Sequence, residues 1–152
     1  MNAEQLTWTV VPFSELTVDA LHELLRLRVD VFVVEQRCVY PEIDGQDPLA
    51  HHVLGRDAKG TLVAYARILP PSTDGHPHIG RVVVHPQHRG HQHARSLMKV
   101  AMEHAQRIHG DPISAVAAQT YLAPFYGSLG YTPTSEPYMW DGIEHVDMVR
   151  RI

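Results

Sequence analysis

The sequence holds a single cysteine, Cys38, among its 152 residues. An internal disulfide is therefore excluded, and so is a metal centre built on several thiolates. Aromatic residues are scarce at 7%, and no apolar run approaches the roughly 20 residues a membrane-spanning helix needs. The opening stretch MNAEQLTWTV has neither the basic start nor the apolar run of a secretory signal, which predicts a cytoplasmic protein with no membrane partner. A large excess of one charge is also missing: 13 Lys and Arg stand against 17 Asp and Glu, a formal net charge of −4. A long nucleic acid is a poor partner for a mildly acidic chain, because its phosphates repel it. What is present is 44% hydrophobic residues, too many for a disordered chain and enough for one domain over residues 1–152 with a buried core. Histidine is plentiful. There are 12, and six lie between His76 and His93, so the charge of that stretch follows pH.

Repeats and low-complexity runs are lacking, and the Pro- and Gly-rich stretch from Pro70 to Pro77 reads as a surface loop between strands. Leu6 to Val11 alternates as a first strand. Thr17 and Asp19 then cap a helix with Leu21, Leu24, Leu25 and Phe32 as apolar positions, breaking into a second short helix before Pro41. His52 to Arg56 and Leu62 to Leu69 flank Asp57-Ala58-Lys59-Gly60, a hairpin signal. Ile79 to Val84 is apolar almost throughout, as in a strand covered on both faces. Ala94, Leu97, Met98, Ala101, Ala105 and Ile108 recur at three- and four-residue steps until Gly110 stops an amphipathic helix. Ile113 to Ala118 follows as a strand, Leu122 to Leu129 as a short helix closed by Gly130, and two strands complete the chain. The pattern predicts a mixed α/β domain around one central sheet.

Chemistry concentrates between the buried strand and the amphipathic helix, in Val84-His85-Pro86-Gln87-His88-Arg89-Gly90-His91-Gln92-His93-Ala94. A strand that passes through a Gly-containing loop into a helix gathers free backbone N–H groups and the positive end of the helix dipole at one point, where phosphate binds well. Gly90 allows close approach of the backbone, and Arg89 and Arg95 suit phosphate oxygens. From Arg81 to Arg107 five Lys and Arg stand against one acid, a local +4. His85, His88, His91 and His93 lack the helical spacing or partnering acid of a metal site and read as exposed loop residues. No metal is expected. From Asp30 to Asp47 five acids face one base, which reads either as a solvated loop or as an acidic mouth for a cationic amine.

Gln87-His88-Arg89-Gly90 followed by Ala94 and Leu97-Met98 resembles the coenzyme A pyrophosphate motif of the GNAT superfamily of N-acetyltransferases. One position departs from it: Gln92 stands where the broad family prefers Gly or Ala. Further blocks are similar to the ElaA-like branch of that superfamily. They include Leu27-Arg28, Val31 to Gln36 with Cys38, then Tyr40, Asp44 and Asp47, then Leu62 to Leu69. Ile79-Gly80-Arg81-Val82, Ala118-Gln119, Phe125-Tyr126 with Leu129-Gly130-Tyr131, and Asp141-Gly142-Ile143 with His145 and Met148 continue the likeness in the same order.

The resemblance implies a GNAT fold: one twisted mixed sheet of about six to seven strands, splayed between the fourth and fifth, with about four helices. It implies that Val82, Val83 and Val84 pair through their main chain with the pantetheine arm of acetyl-CoA, the cosubstrate. Arg89, Gly90, His91, Gln92, His93, Ala94 and Arg95 would hold the pyrophosphate, and a backbone N–H near Val83 would polarise the thioester carbonyl. Tyr126 matches the family's general acid, with core packing beside Phe125 as the plain reading. Glu35 is the first choice for general base or acceptor anchor, and Cys38 reads as a buried small hydrophobe. The expected partner is a small-molecule or peptidic primary amine, and a homodimer stays open. Arg28, Phe32, Asp44, Asp47 and Arg67 also resemble the acceptor side of acyl-homoserine lactone synthases. Those enzymes are longer and carry a Trp between the Phe and the first Asp that is absent here. A protein that binds CoA without turnover is the other alternative.

Overall fold

Turn chemistry and alternation build the N-terminal half of the sheet. In the computed structural model, which describes residues 5–151, β1 (Thr7–Pro12), β2 (His51–Arg56), β3 (Leu62–Leu69) and β4 (His78–Val84) form an antiparallel run. The β2–β3 turn is set by Asp57, whose Oδ1 accepts from the N–H groups of Lys59 and Thr61 at 2.9 Å each. β5 (Ile113–Gln119) lies parallel to β4, and β8 (Ile143–Arg151) runs antiparallel along the whole of β5. Two short strands, β6 (Thr132–Pro133) and β7 (Tyr138–Trp140), pair with β8 and raise the count to eight against the expected six or seven. At two and three residues they are too short to show alternation. Asp141 and Gly142 link β7 to β8 with φ of +50° and +77°, the pair of left-handed residues that a type I′ hairpin turn requires.

Among the described residues the α-helices number three, against the expected four or so. α1 (Val18–Arg28) is capped by Thr17, whose Oγ1 accepts from the Ala20 N–H at 3.0 Å. The separate short helix expected before Pro41 is instead a π-helical turn, Val29–Glu35, that continues α1 without a break. α2 (His93–His109) ends at Gly110, in the left-handed region at φ +68°, and α3 (Ala123–Ser128) is a short connection to the C-terminal strands.

Both faces of the sheet are covered, which explains the nearly continuous burial of β3. Leu97, Met98, Ala101, Met102 and Ala105 of α2 pack on Ile68, Ile79, Val116, Val146 and Met148, while Leu24 and Leu27 of α1 pack with Val31, Leu54, Tyr65 and Val83.

Two irregularities of β4 open and line a cleft in the sheet. β4 meets β5 at a single register pair, His78 with Ala115, so the edge of β4 beyond it carries no strand partner on that side. This is the splay expected between the fourth and fifth strands. β4 also bulges: Tyr65 faces Val83 but Arg67 faces Gly80, and Arg81 absorbs the extra residue at φ +53°.

Candidate active site

Where β4 and β5 part, a cavity of about 510 Å³ opens through the sheet. Gly80 and Val82 of β4 line it together with Ala117, Ala118 and Gln119 of β5, and Phe32 and Tyr126 contribute to the lining. Unpaired main-chain groups along one edge of such a slot suit an extended, amide-bearing ligand that adds itself like a strand. Val82 and Val84 are half-buried at this edge, and Val83 is buried with its side chain turned toward α1.

The loop after β4 makes one tight turn over Pro86–His88, passes Gly90 at φ +89° and Gln92 at φ +61°, and enters α2 at His93. Gln92 makes no side-chain cap, so the N–H groups of Ala94 and Arg95 in the first turn of α2 face the loop without intrahelical partners. With the helix dipole behind them they form an anion-binding concavity. The left-handed backbone at residue 92 is one that glycine adopts without strain.

The side chains of this segment are only partly disposed as expected. Arg89 is held by Glu35 in a two-pronged pair at 2.7 and 2.8 Å. Arg95 reaches Ser128 Oγ at 2.8 Å and lies over the Phe125 ring. Arg81 leaves the basic stretch altogether, because the bulge sends it to Glu42 and Asp44. Of the four histidines read as exposed, His91 alone is exposed; His85 and His88 are half-buried, and His93 is buried in the first turn of α2.

Tyr126 is both a packing residue and a cavity residue. Its ring lies edge-on to Phe125 and Tyr131, with centroids 5.2 and 5.9 Å away, and burial pushes its phenol above the ordinary tyrosine range. None of the hydrogen bonds among the described residues engages its hydroxyl. Glu35 lies elsewhere. It is exposed on the π-helical turn, is not among the residues lining the cavity, and is held below the usual carboxylate range by its hydrogen bonds to Arg89. An anion stabilised in this way is a weak proton acceptor, so the geometry does not support Glu35 as general base. Cys38 is half-buried rather than core: it lines the cavity, with Sγ 3.5 Å from the Asp141 carbonyl.

The acidic stretch is not a free mouth. Arg28, fully buried, binds Glu42 at 2.6 Å and Asp47 at 2.7 Å; Arg67 binds Asp44 at 2.7 Å and Asp47 at 3.0 Å; Arg81 binds Glu42 at 2.8 Å. Three guanidinium groups thus balance three carboxylates. Asp30 pairs with Arg26 and Glu35 with Arg89, so each acid of the stretch has a cationic partner. The arginines hold the carboxyls of Asp44 and Asp47 below the usual range despite burial. His52 completes the hub. Its Nε2–H donates to the Asp47 carbonyl at 2.9 Å and its Nδ1 accepts from the Tyr65 hydroxyl at 2.6 Å. A signal for the hub exists in the sequence: Arg67 interrupts the apolar run Leu62 to Leu69, and a charge there requires a buried partner.

Among the described residues no helix is long and apolar enough to cross a membrane, and no group of three or more His, Cys, Asp or Glu is placed to hold a metal. Residues 24–152 match the family described as "Acetyltransferase (GNAT) domain". The chain is 41% identical to protein ElaA of Escherichia coli over 150 residues, 97% of each chain, and its fold superposes on the crystal structure of that protein with a TM-score of 0.88. An acyl-CoA N-acyltransferase from Pseudomonas aeruginosa is 38% identical with a TM-score of 0.89, covering 96% of this chain and 99% of that one. A CoA-dependent acyl-homoserine lactone synthase shares the fold alone, at 19% identity and a TM-score of 0.81 over 97% of this chain and 83% of its own. With its splayed β4 and β5, its glycine-containing turn before α2 and these relatives, the chain belongs to the GNAT acetyltransferase family, in its ElaA-like branch.

Proposed function

We propose that this protein transfers an acetyl group from acetyl-CoA to a primary amine of a small molecule or peptide. The observation that carries this reading is the meeting of three features: the unpaired edge of β4, the uncapped start of α2, and a cavity lined by Tyr126. The main chain of Val82, Val83 and Val84 would hold the pantetheine arm, and the turn from Arg89 to Arg95 its pyrophosphate. The bound thioester supplies the activated acyl carbon. The chain orients it, offers main-chain N–H groups where charge develops on the carbonyl oxygen, and manages two protons. An ordinary amine, with a pKa of about 10, must lose a proton before its nitrogen can attack. The departing sulfur must gain one, and Tyr126, which lines the cavity, is protonated at working pH and is free of other hydrogen bonds, would donate it.

The acceptor meets a cavity whose ion network is internally neutral and whose remaining wall is largely apolar, with Phe32, Leu49, Ile79 and Trp140 among its residues. This favours an amine carried on an apolar body over a polycation. Calorimetry with acetyl-CoA, followed by thiol release across a panel of amines, amino sugars, polyamines and peptides, tests the proposal. Binding with amine-dependent thiol release is expected. Absence of binding at near-millimolar ligand would refute it, and binding without thiol release from any acceptor would point to a CoA-binding protein that lacks turnover.

A further inference from the structure

With Glu35 engaged by Arg89, the cavity needs another group able to take the amine proton. Most of its titratable groups are occupied. Asp44 is bound by Arg67 and Arg81, Tyr40 donates to Glu42 at 2.6 Å, His78, of the single β4–β5 pair, is bound to Asp74 at 2.6 Å, and Cys38 contacts the Asp141 carbonyl. Asp141 itself sits in the exposed hairpin turn. His145 remains.

His145 is on β8, opposite Gln119 of β5 and Tyr138 of β7, and it lines the same cavity as Tyr126 and Val82. It is buried, with its ring stacked on Tyr138 at 20° and 5.2 Å from the ring of Trp140. Its Nδ1 lies 2.8 Å from the Ile143 carbonyl. A carbonyl only accepts, so Nδ1 carries the proton and the lone pair of the neutral ring resides on Nε2. Among the described residues Nε2 has no hydrogen-bond partner, and it is not sealed within the core. The flanking acids of β8 are engaged elsewhere: Asp147 accepts from the Tyr138 hydroxyl at 2.5 Å, and Glu144 accepts from Thr120 at 2.8 Å. Stacking and the carbonyl bond together fix a base that points its open nitrogen away from its own strand.

We propose that His145 Nε2 is the proton acceptor for the attacking amine, a role that rests on the acetyltransfer reading. The ammonium gives one proton to Nε2, which frees the nitrogen lone pair. The C–N bond then forms as the C–S bond breaks, and sulfur takes the Tyr126 proton. The second amine proton restores the Tyr126 hydroxyl, and His145 releases its proton to solvent, so one ammonium and one thioester yield an amide, a thiol and one proton.

His145→Gln keeps the size and polarity of the side chain but cannot take up a proton. With acetyl-CoA and whichever panel amine the wild type uses, we expect kcat to fall by about 100-fold or more, with the KM for acetyl-CoA unchanged. In the variant kcat/KM should simply follow the free-base fraction of the amine, rising with pH until the amine's own pKa. The deficit should shrink for methoxyamine, which is already uncharged at neutral pH. In the protein without substrate, the long-range proton–nitrogen spectrum of the ring, assigned by its loss in His145→Gln, should show a proton on Nδ1 and a bare Nε2. The opposite tautomer, or a variant that keeps wild-type turnover and an unchanged pH profile, would overturn the role of His145 alone. Failure of the wild type to release thiol with any amine would overturn the acetyltransfer reading as well.

Discussion

At the scale of single residues, Tyr126 is unusual in being packed by its ring and unused at its hydroxyl. On the proposed mechanism, removing that hydroxyl would delete the proton donor with little effect on the fold, since no internal hydrogen bond is lost. Tyr126→Phe should lower turnover by about 100-fold while acetyl-CoA affinity and the unfolding midpoint hold; turnover at the wild-type level would remove Tyr126 from the reaction. Gln92 presents the opposite case, a residue whose backbone is at odds with its side chain. At φ +61° it carries the left-handed penalty that glycine escapes. Gln92→Gly should raise stability by roughly 0.5–1 kcal/mol, the left-handed penalty less the extra entropy of glycine in the unfolded chain. A urea titration checks it, and a lower midpoint would show that the strain is absent. Residue 92 was legible as a departure from a motif, yet only the dihedral angle gives the departure a cost. Partners were less legible than positions. Glu35 and Arg89 lie 54 residues apart, and nothing local in either segment links them.

At the scale of elements, periodicity and turn signals located α2, the β2–β3 hairpin and β4 to within a residue or two, because each buries a regular face. The π-helical turn was illegible: Val29 to Val34 is apolar on most sides, and its hydrogen-bond period differs from that of α1 without any change in composition. That turn matters, because it carries Glu35 to Arg89 in the loop before α2 and so ties the α1 side of the molecule to that loop. A cosubstrate phosphate and Glu35 would then compete for one guanidinium. Removing the carboxylate charge with Glu35→Gln should tighten acetyl-CoA binding several-fold, whereas Arg89→Ala should weaken it by about tenfold, a loss of roughly 1.4 kcal/mol. Stability should change little in either variant, since an exposed pair contributes under about 1 kcal/mol. Parallel calorimetric titrations decide the matter. If Glu35→Gln binds acetyl-CoA as before and loses turnover, Glu35 is the base and the competition is wrong.

At the scale of the whole molecule, the net charge of −4 conceals an arrangement that composition cannot display. Acids clustered in one stretch are neutralised by arginines from α1, β3 and β4, and this buried hub joins the helix, the 42–47 segment and the sheet on the rim of the cavity. The acidic and basic stretches were legible as sequence, but which side chains cancel is a three-dimensional property. The abundance of histidine likewise resolves into different environments, and two of them govern pH stability. Burial lowers His52 below the ordinary imidazole value, and burial together with His51 lowers His109, whose Nε2 is enclosed without a partner. In the unfolded chain both would take up protons near pH 6.5, whereas the folded chain resists doing so. The unfolded state thus binds more protons below that point, and folding stability must fall as pH falls. The contribution is fully present above about pH 6.5 and declines on acidification, by at most about 1.4 kcal/mol per pH unit for each histidine. Asp44 and Asp47, held low by their arginines, extend the decline with the same sign through the carboxylate range near pH 4 and below. Urea unfolding at pH 7.5 and pH 5.5 should therefore give a lower stability at the acid end, and His52→Gln, which cannot titrate, should lose less over that interval than the wild type. Stability that stays level or rises as pH falls would show that neither buried imidazole resists protonation.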